Sequence, residues 1–285
     1  MPELPEVEAL TRSFDAALRG RRVDGVTVRS IAALKTHDPA PAALIGLRVS
    51  GSRRHGKFID IEIPPYHLVV HLARAGWFRL REQPTQTRAA MGGPLALVVT
   101  FDDGSALEAT EQGTEKRLAV YVVRQAADVP GIARLGIDAL DSALTATKLG
   151  ELLRGQAGTL KNVLADQTVI AGIGNAYSDE ILHAARLSPF RHASGLSATE
   201  LDTLHTAMRD VLSDAVRRVS TVDVTGLKAD KKMNMRVHGR TGEKCPVCGY
   251  TVREVSLSTR SFQYCPTCQT GGRVYADRRM SRLLR

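Results

Sequence analysis

Apolar residues recur at helical spacing from the start of the chain. Val7, Leu10, Phe14 and Leu18 fall on one face of a helix expected over residues 5–19. Pro5 suits the first turn of that helix, Glu6 and Glu8 complement the positive end of its dipole, and Gly20 supplies a terminator. The period then shortens. Runs rich in Val, Ile and Leu at Val23–Val28, Phe58–Ile63, His67–Leu72, Leu95–Phe101 and Leu118–Val123 read as strands. They are separated by turn signals such as Pro64-Pro65 and Asp102-Asp103-Gly104. Strands with no helical pattern between them predict a β-sandwich or barrel-like domain, and the polar stretch from Glu82 to Pro94 is expected to be a mobile loop. Near Asp128-Val129-Pro130-Gly131 the pattern turns helical, with Leu149, Leu152 and Leu153 on one helix and Ile181 and Leu182 on a second. Leu201, Leu204, Met208, Val211 and Leu212 mark a third. The expected division is a β-sandwich domain over 1–130, a helical domain over 131–235 and a cysteine-bearing unit over 236–285, an α+β multidomain chain.

Composition narrows the class without naming a chemistry. Hydrophobic residues make up 43% and charged residues 24% of the 285, enough apolar material for more than one core. No apolar run approaches the roughly 20 residues that span a bilayer, and the polar, acidic start does not resemble a secretory signal. A cytoplasmic monomer, nucleoid-associated if bacterial, is the expectation. The net charge of +9 favours a polyanionic partner, since each neutralised phosphate releases counterions.

All four cysteines lie between 245 and 268, as Cys245-Pro-Val-Cys248 and Cys265-Pro-Thr-Cys268. Two C-x-x-C knuckles sixteen residues apart predict one tetrahedral, structural zinc ion held by Cys245, Cys248, Cys265 and Cys268. Arg253, Val255, Leu257 and Thr259 alternate with polar neighbours between the knuckles, as in a β-hairpin. Arg240, Lys244, Arg253, Arg260 and a tail with Arg278, Arg279, Arg282 and Arg285 put cations on this unit, a means of gripping phosphate.

Three further segments carry candidate chemistry. Ala171-Gly-Ile-Gly-Asn-Ala176 places a glycine turn before a helix expected over 177–185, where free N–H groups can cradle a phosphate and Asn175 can add a donor. Arg53-Arg54-His55-Gly56-Lys57-Phe58 is a basic cluster running into a strand, which in isolation reads as a solvated charged edge. The start Met1-Pro2-Glu3 either begins a helix or, once Met1 is removed, exposes a secondary amine. An α-amino group titrates near pH ~8, so a useful fraction is neutral and nucleophilic in the cell.

Together these segments resemble the formamidopyrimidine-DNA glycosylase and endonuclease VIII family of base-excision repair. The resemblance rests on Pro2-Glu-Leu-Pro-Glu-Val-Glu8, His55-Gly-Lys-Phe58, His71-Leu72, Asp166-Gln167 with Ala171-Gly-Ile-Gly-Asn175, Tyr177-Ser-Asp-Glu180, and the four-cysteine finger with Arg260 before Cys265. It implies a helix–two-turn–helix module around 160–185, a zinc finger, a basic cleft and damaged DNA, duplex or single-stranded, as partner. It also implies catalysis by the Pro2 amine, which attacks the anomeric carbon of an extruded nucleotide and forms an iminium, with β- and δ-elimination following. Glu3 is the implied proton carrier, Glu6 a residue that positions or tunes the amine, and Lys57 a phosphate contact that assists strand cleavage. His71, Asn175 and Arg260 are implied phosphate contacts, and Lys161 a phosphate or lesion contact.

The chain departs from the family where the lesion is read. Glycosylases of oxidised purines in this family carry His-Leu-Gly-Met-Ser-Gly, whereas this chain has His71-Leu-Ala-Arg-Ala-Gly76, so Arg74 stands where methionine fills the vacated space. The second wedge, Asp-Pro-Arg-Arg-Phe-Gly, has no counterpart, and Glu111–Leu118 is the nearest segment. Gly226 to Arg236 is short and lysine-rich where many relatives have a longer loop. Altered lesion choice is therefore expected. The competing readings are a damage-binding protein of the same fold that excises nothing, and a zinc-ribbon module with another nucleic-acid role.

Overall fold

The computed structural model describes residues 1–83, 94–256 and 261–275. The chain forms two compact units, one of residues 1–134 with 223–225 and the other of residues 135–222 with 226–285. The boundary expected at 235/236 runs inside the second unit. Most of the loop expected over Glu82–Pro94 lies outside the described residues, as do Arg260 and the tail arginines.

The first unit begins with α1 (Leu4–Leu18), one residue earlier than its apolar stripe predicts. Leu4, Val7, Leu10, Phe14 and Leu18 are all fully buried. The helix opens with a capping box, in which the Glu6 carboxylate accepts the Glu3 backbone N–H at 2.8 Å. Eight strands follow: β1 (Val23–Val28), β2 (Gly51–His55), β3 (Phe58–Ile63), β4 (Tyr66–His71), β5 (Gly76–Arg81), β6 (Leu95–Phe101), β7 (Ala106–Glu111) and β8 (Ala119–Val123). They pair into two four-stranded antiparallel sheets, ordered β1-β6-β7-β5 and β2-β3-β4-β8, which make the sandwich. Helix α1 packs on β2 and β3, and Phe14 meets Phe78 of β5 edge-on at 5.1 Å, so the helix is part of the core.

The apolar run Leu68-Val69-Val70 in β4 is buried along its whole length, which requires cover on both faces. Helix α2 (Pro130–Ala133) and the turn before it supply the second cover: Val129 and Ile132 pack with Val69, Val123 and Phe58. The change of pattern at Asp128-Val129-Pro130-Gly131 is thus the last layer of the sandwich unit.

The second unit holds the short parallel pair β9 (Ile137–Asp138) and β10 (Ile170–Ala171), with helices α3 (Ala146–Arg154), α4 (Leu160–Leu164), α5 (Asn175–Ala184), α6 (Ala198–Val219) and α7 (Leu227–Asn234). Thr145 caps α3 by accepting the Lys148 N–H at 3.1 Å, and Ser197 caps α6 in a box with Glu200. Leu204, Met208 and Leu212 form the buried stripe of α6, which packs against α3 and α5. The finger completes this unit as hairpin β11 (Arg253–Ser256) and β12 (Ser261–Tyr264) followed by α8 (Pro266–Thr270). The lysine-rich segment after Gly226 is the helix α7, held to α6 by Asp230, which accepts from Arg218 at 3.1 Å. Among the described residues no helix is long and apolar enough to cross a membrane.

Candidate active site and zinc centre

In the first unit the residues singled out by sequence gather around the start of α1 and one sheet edge. Pro2 is buried behind an exposed Met1, and Glu3 and Glu6 are 2% and 1% exposed. The bond from the Glu3 N–H to Glu6 fixes the backbone next to Pro2, so Glu6 positions the terminus through the capping box. Lys57 is 7% exposed and sits in the tight turn between β2 and β3, where Gly56 takes φ +56°. Arg54 of β2 ties that turn to the helix. Its Nε donates to Glu8 of α1 at 2.8 Å and its Nη1 to the Gly56 carbonyl at 3.1 Å. Arg53-Arg54-His55 is therefore a paired strand with one inward clamp, and only Arg53 keeps the character of a charged edge.

His71 ends β4 directly opposite Phe58, with the two rings 4.7 Å apart. Burial, and secondarily the Lys57 charge, push its imidazole down to about 4, so it is neutral at cellular pH. The consequence for stability has a definite sign. The unfolded chain binds this proton near pH ~6.5 and the folded chain only near 4, so the contribution is full above 6.5 and is lost as pH falls through that window. His71→Gln is expected to flatten the acid limb of stability between those values, measured as urea midpoints across pH 4 to 7. An unchanged acid limb would mean that His71 is readily protonated in the folded protein.

Arg74 stands exposed in the turn from β4 to β5, and its neighbour Ala73 takes φ +50°. That left-handed conformation costs an L-residue roughly 1–2 kcal/mol. The turn is tight: a Cβ on Gly76 would lie 2.2 Å from the Leu72 carbonyl oxygen. The Glu111–Leu118 loop lies beside it, since Gly76 pairs with Glu111 and the Gln112 N–H reaches the Ala75 carbonyl at 3.3 Å. The buried Glu111 carboxylate holds that loop by accepting the N–H groups of Arg117 and Leu118 at 2.6 and 2.8 Å, leaving Lys116 and Arg117 exposed. Ala73→Gly removes the strain at some cost in unfolded-state entropy. A net gain of about 0.5–1 kcal/mol is expected from urea denaturation, and no gain would show the turn to be relaxed.

In the second unit Asn175 opens α5 after Gly172 (φ +102°) and Gly174. Its Nδ2 makes a long 3.5 Å contact to Ser261 Oγ, and its Oδ1 is buried with no partner among the described residues. Lys161, the implied phosphate or lesion contact, lies inside this unit. It is 0% exposed and paired with Asp179, and its Nζ also donates to the Ser261 carbonyl at 2.7 Å and the Asn175 carbonyl at 3.3 Å. An ammonium enclosed in this way ties the start of α5 to the start of β12. Asp179 also accepts the Gln263 N–H at 3.2 Å and bonds His238 Nδ1 at 2.9 Å. Glu180 accepts three backbone N–H groups, from Arg236, Val237 and His238, at 2.8, 3.0 and 2.9 Å. Burial pushes its carboxyl up, and those donors oppose the shift. Sequence reading quoted Asp179 and Glu180 without a role, and they fasten α5 to the finger.

The four cysteine sulfurs lie within 4.8 Å of one another, with 3.9 Å between Cys245 and Cys268 and 3.3 Å between Cys248 and Cys265. Zinc–sulfur bonds of ~2.3 Å at tetrahedral angles put sulfurs about 3.8 Å apart, so the donor set fits one zinc ion with no open position. Cys245 and Cys265 sit in a small core with Val237 and Val252, so a bound metal is structural. His183 of α5 adds an outer contact, its Nε2 3.3 Å from Cys245 Sγ.

Three family models match the chain in order. They are the formamidopyrimidine-DNA glycosylase N-terminal domain over residues 1–116, the H2TH domain over 135–225, and the zinc finger found in FPG and IleRS over 242–271. The formamidopyrimidine-DNA glycosylase of Mycobacterium sp. strain KMS is 33% identical over 299 residues, covering 96% of this chain and 99% of that one. The chain belongs to the formamidopyrimidine-DNA glycosylase family. An uncharacterized formamidopyrimidine-DNA glycosylase-like protein of Mycobacterium tuberculosis is 58% identical over 159 residues, 56% of this chain and 99% of its own length. The solved structure of MutM in complex with DNA containing carbocyclic 8-oxo-G superposes with a TM-score of 0.82 at 25% identity, covering 94% of this chain and 100% of that one. The fold, the H2TH module and the structural zinc finger are thus those of a DNA-repair glycosylase family.

Proposed function

We propose that this protein excises damaged bases from DNA through an imine formed by Pro2 and then cleaves the strand as an abasic-site lyase. The observation that carries the proposal is the buried Pro2-Glu3-Glu6 terminus on a helix whose Glu8 is clamped through Arg54 to the turn that carries the buried Lys57. While Met1 is attached, the Pro2 nitrogen is an amide without a reactive lone pair, and Met1 is 48% exposed and open to removal. The freed amine attacks the anomeric carbon, the base leaves with a proton, and the ring opens to an iminium. The iminium acidifies the next sugar carbon. Loss of that proton expels the 3′ phosphate, a second elimination expels the 5′ phosphate, and water releases the amine. Glu3 moves the protons and Lys57 holds a phosphate as it departs.

His71 binds phosphate as a neutral N–H donor, and Asn175 and Arg260 add contacts from the second unit. The DNA in the solved MutM complex supports this partner. Extrusion of the target is required because the anomeric carbon is inaccessible in a stacked duplex. Arg74, with Lys116 or Arg117 beside it, fills the vacated space and hydrogen-bonds to the orphaned base, which moves lesion choice away from the oxidised-purine type.

The test is borohydride trapping on a duplex with one abasic site, using zinc-loaded protein freed of Met1. A covalent protein–DNA adduct is expected. Its absence would remove the lyase claim and leave a damage-binding protein of the same fold.

A further inference from the structure

The end of α5 carries a cationic pocket that the reaction does not use. It has a volume of about 180 Å³ and is lined by His183, Ala184, Arg186, Arg236, Val247 and Cys268. At ~30 Å³ per water that is room for about six waters, or for one hydrated small anion. The lining holds two guanidinium groups and no carboxylate, and its one anionic atom, the Cys268 sulfur, is committed to zinc. Glu180 is occupied by three backbone N–H groups, and no ion pair to Arg186 or Arg236 is found among the described residues.

Two details argue that the cations are placed there for a ligand. Arg186 follows the last turn of α5 at φ +53°, a position where glycine is the unstrained choice. A cation complementing the helix dipole could sit one turn earlier in ordinary helical geometry, so the dipole alone does not call for a left-handed arginine. Arg236 is exposed, yet its backbone is held by the bond from its N–H to Glu180 at 2.8 Å, so the root of its side chain is fixed. Behind both, His183 is 2% exposed and its Nδ1 is buried without a partner. With Nε2 turned to the Cys245 sulfur, Nδ1 presents a lone pair, which a bound water or a protonated ligand oxygen would satisfy.

The geometry points to a second anion site, in which Arg186 and Arg236 grip one tetrahedral oxyanion of the phosphate class at the base of the zinc finger. The ligand is either a backbone phosphate of DNA outside the cleavage site or a small phosphate from solution. The site is independent of the imine reading, because it can be occupied with no DNA and no turnover.

The experiment is thermal unfolding of the zinc-loaded full chain in about 20 mM inorganic phosphate against chloride at matched ionic strength. The wild type, Arg186→Gly and Arg236→Gln are compared. For the wild type a phosphate-specific rise of about 2–4 °C is expected. Arg186→Gly relieves the left-handed strain, so it is expected to melt no lower than wild type in chloride while losing the phosphate increment. A wild type without the increment, or an increment that survives both substitutions, overturns the site. The second arm measures duplex affinity against salt. A slope reduced by about 1 in each variant identifies the ligand as a DNA phosphate, and an unchanged slope with a lost increment identifies it as a small phosphate.

Discussion

Protein that keeps Met1, or that carries one extra residue before Pro2, is expected to yield no borohydride-trapped adduct with abasic DNA and to bind the same DNA within a few-fold of the processed form. The expected rate loss is roughly 10,000-fold or more, because an oriented nucleophile is replaced by an amide and the advantage of an intramolecular reaction disappears with it. Glu3→Gln tests a different step. The amine is still present, but the carboxyl that moves protons is gone, and about a 100- to 10,000-fold loss in base excision is expected. The backbone bond from Glu3 to Glu6 survives that substitution, so the helix start should remain folded. Binding that is lost along with activity in the Met1 form would mean that the terminus contributes to docking and not to chemistry.

The parts of this site that sequence disclosed are the local ones. The α1 stripe, three strands with their bounds (Val23–Val28, Phe58–Ile63, Leu95–Phe101) and the cysteine knuckles each repeat a pattern within a few residues. The strands that sequence missed broke the pattern. Gly51–His55 is mostly polar, with one arginine turned inward to Glu8. Gly76–Arg81 mixes a packing glycine with exposed arginines. Ala106–Glu111 is built of good helix formers and becomes a strand because β5 and β6 pair on either side of it, burying Glu108 and Glu111. Tertiary pairing outweighs local preference there. The anchoring roles of Lys161, Asp179 and Glu180 were hidden for another reason: the partners that tie them to the finger lie 56 to 100 residues further along the chain, and no local spacing signals such a contact.

The largest stability effect is expected at Asp179. Neither Asp179 nor Lys161 is exposed to solvent, and the ammonium lies 5.1 Å from the Phe262 ring centroid. Replacing Asp179 with Ala leaves a buried cation without its carboxylate and frees the Gln263 N–H and His238 as well. A loss of about 3–5 kcal/mol is expected in the unfolding of the second unit, measured by urea denaturation of the zinc-loaded chain. Lys161→Met combined with Asp179→Leu removes both charges together. It should recover most of that loss, because burying a pair offers little net gain over apolar packing of similar volume. A single variant within about 1 kcal/mol of wild type would mean that water reaches the pair and that the enclosure described here is wrong. The pair also sets the position of the finger, since Lys161 holds the carbonyls of both Asn175 and Ser261. Ser261 follows Arg260 in the chain. The double variant should therefore stay folded and still bind DNA more weakly than wild type, with the backbones of Asn175 and Ser261 no longer held together.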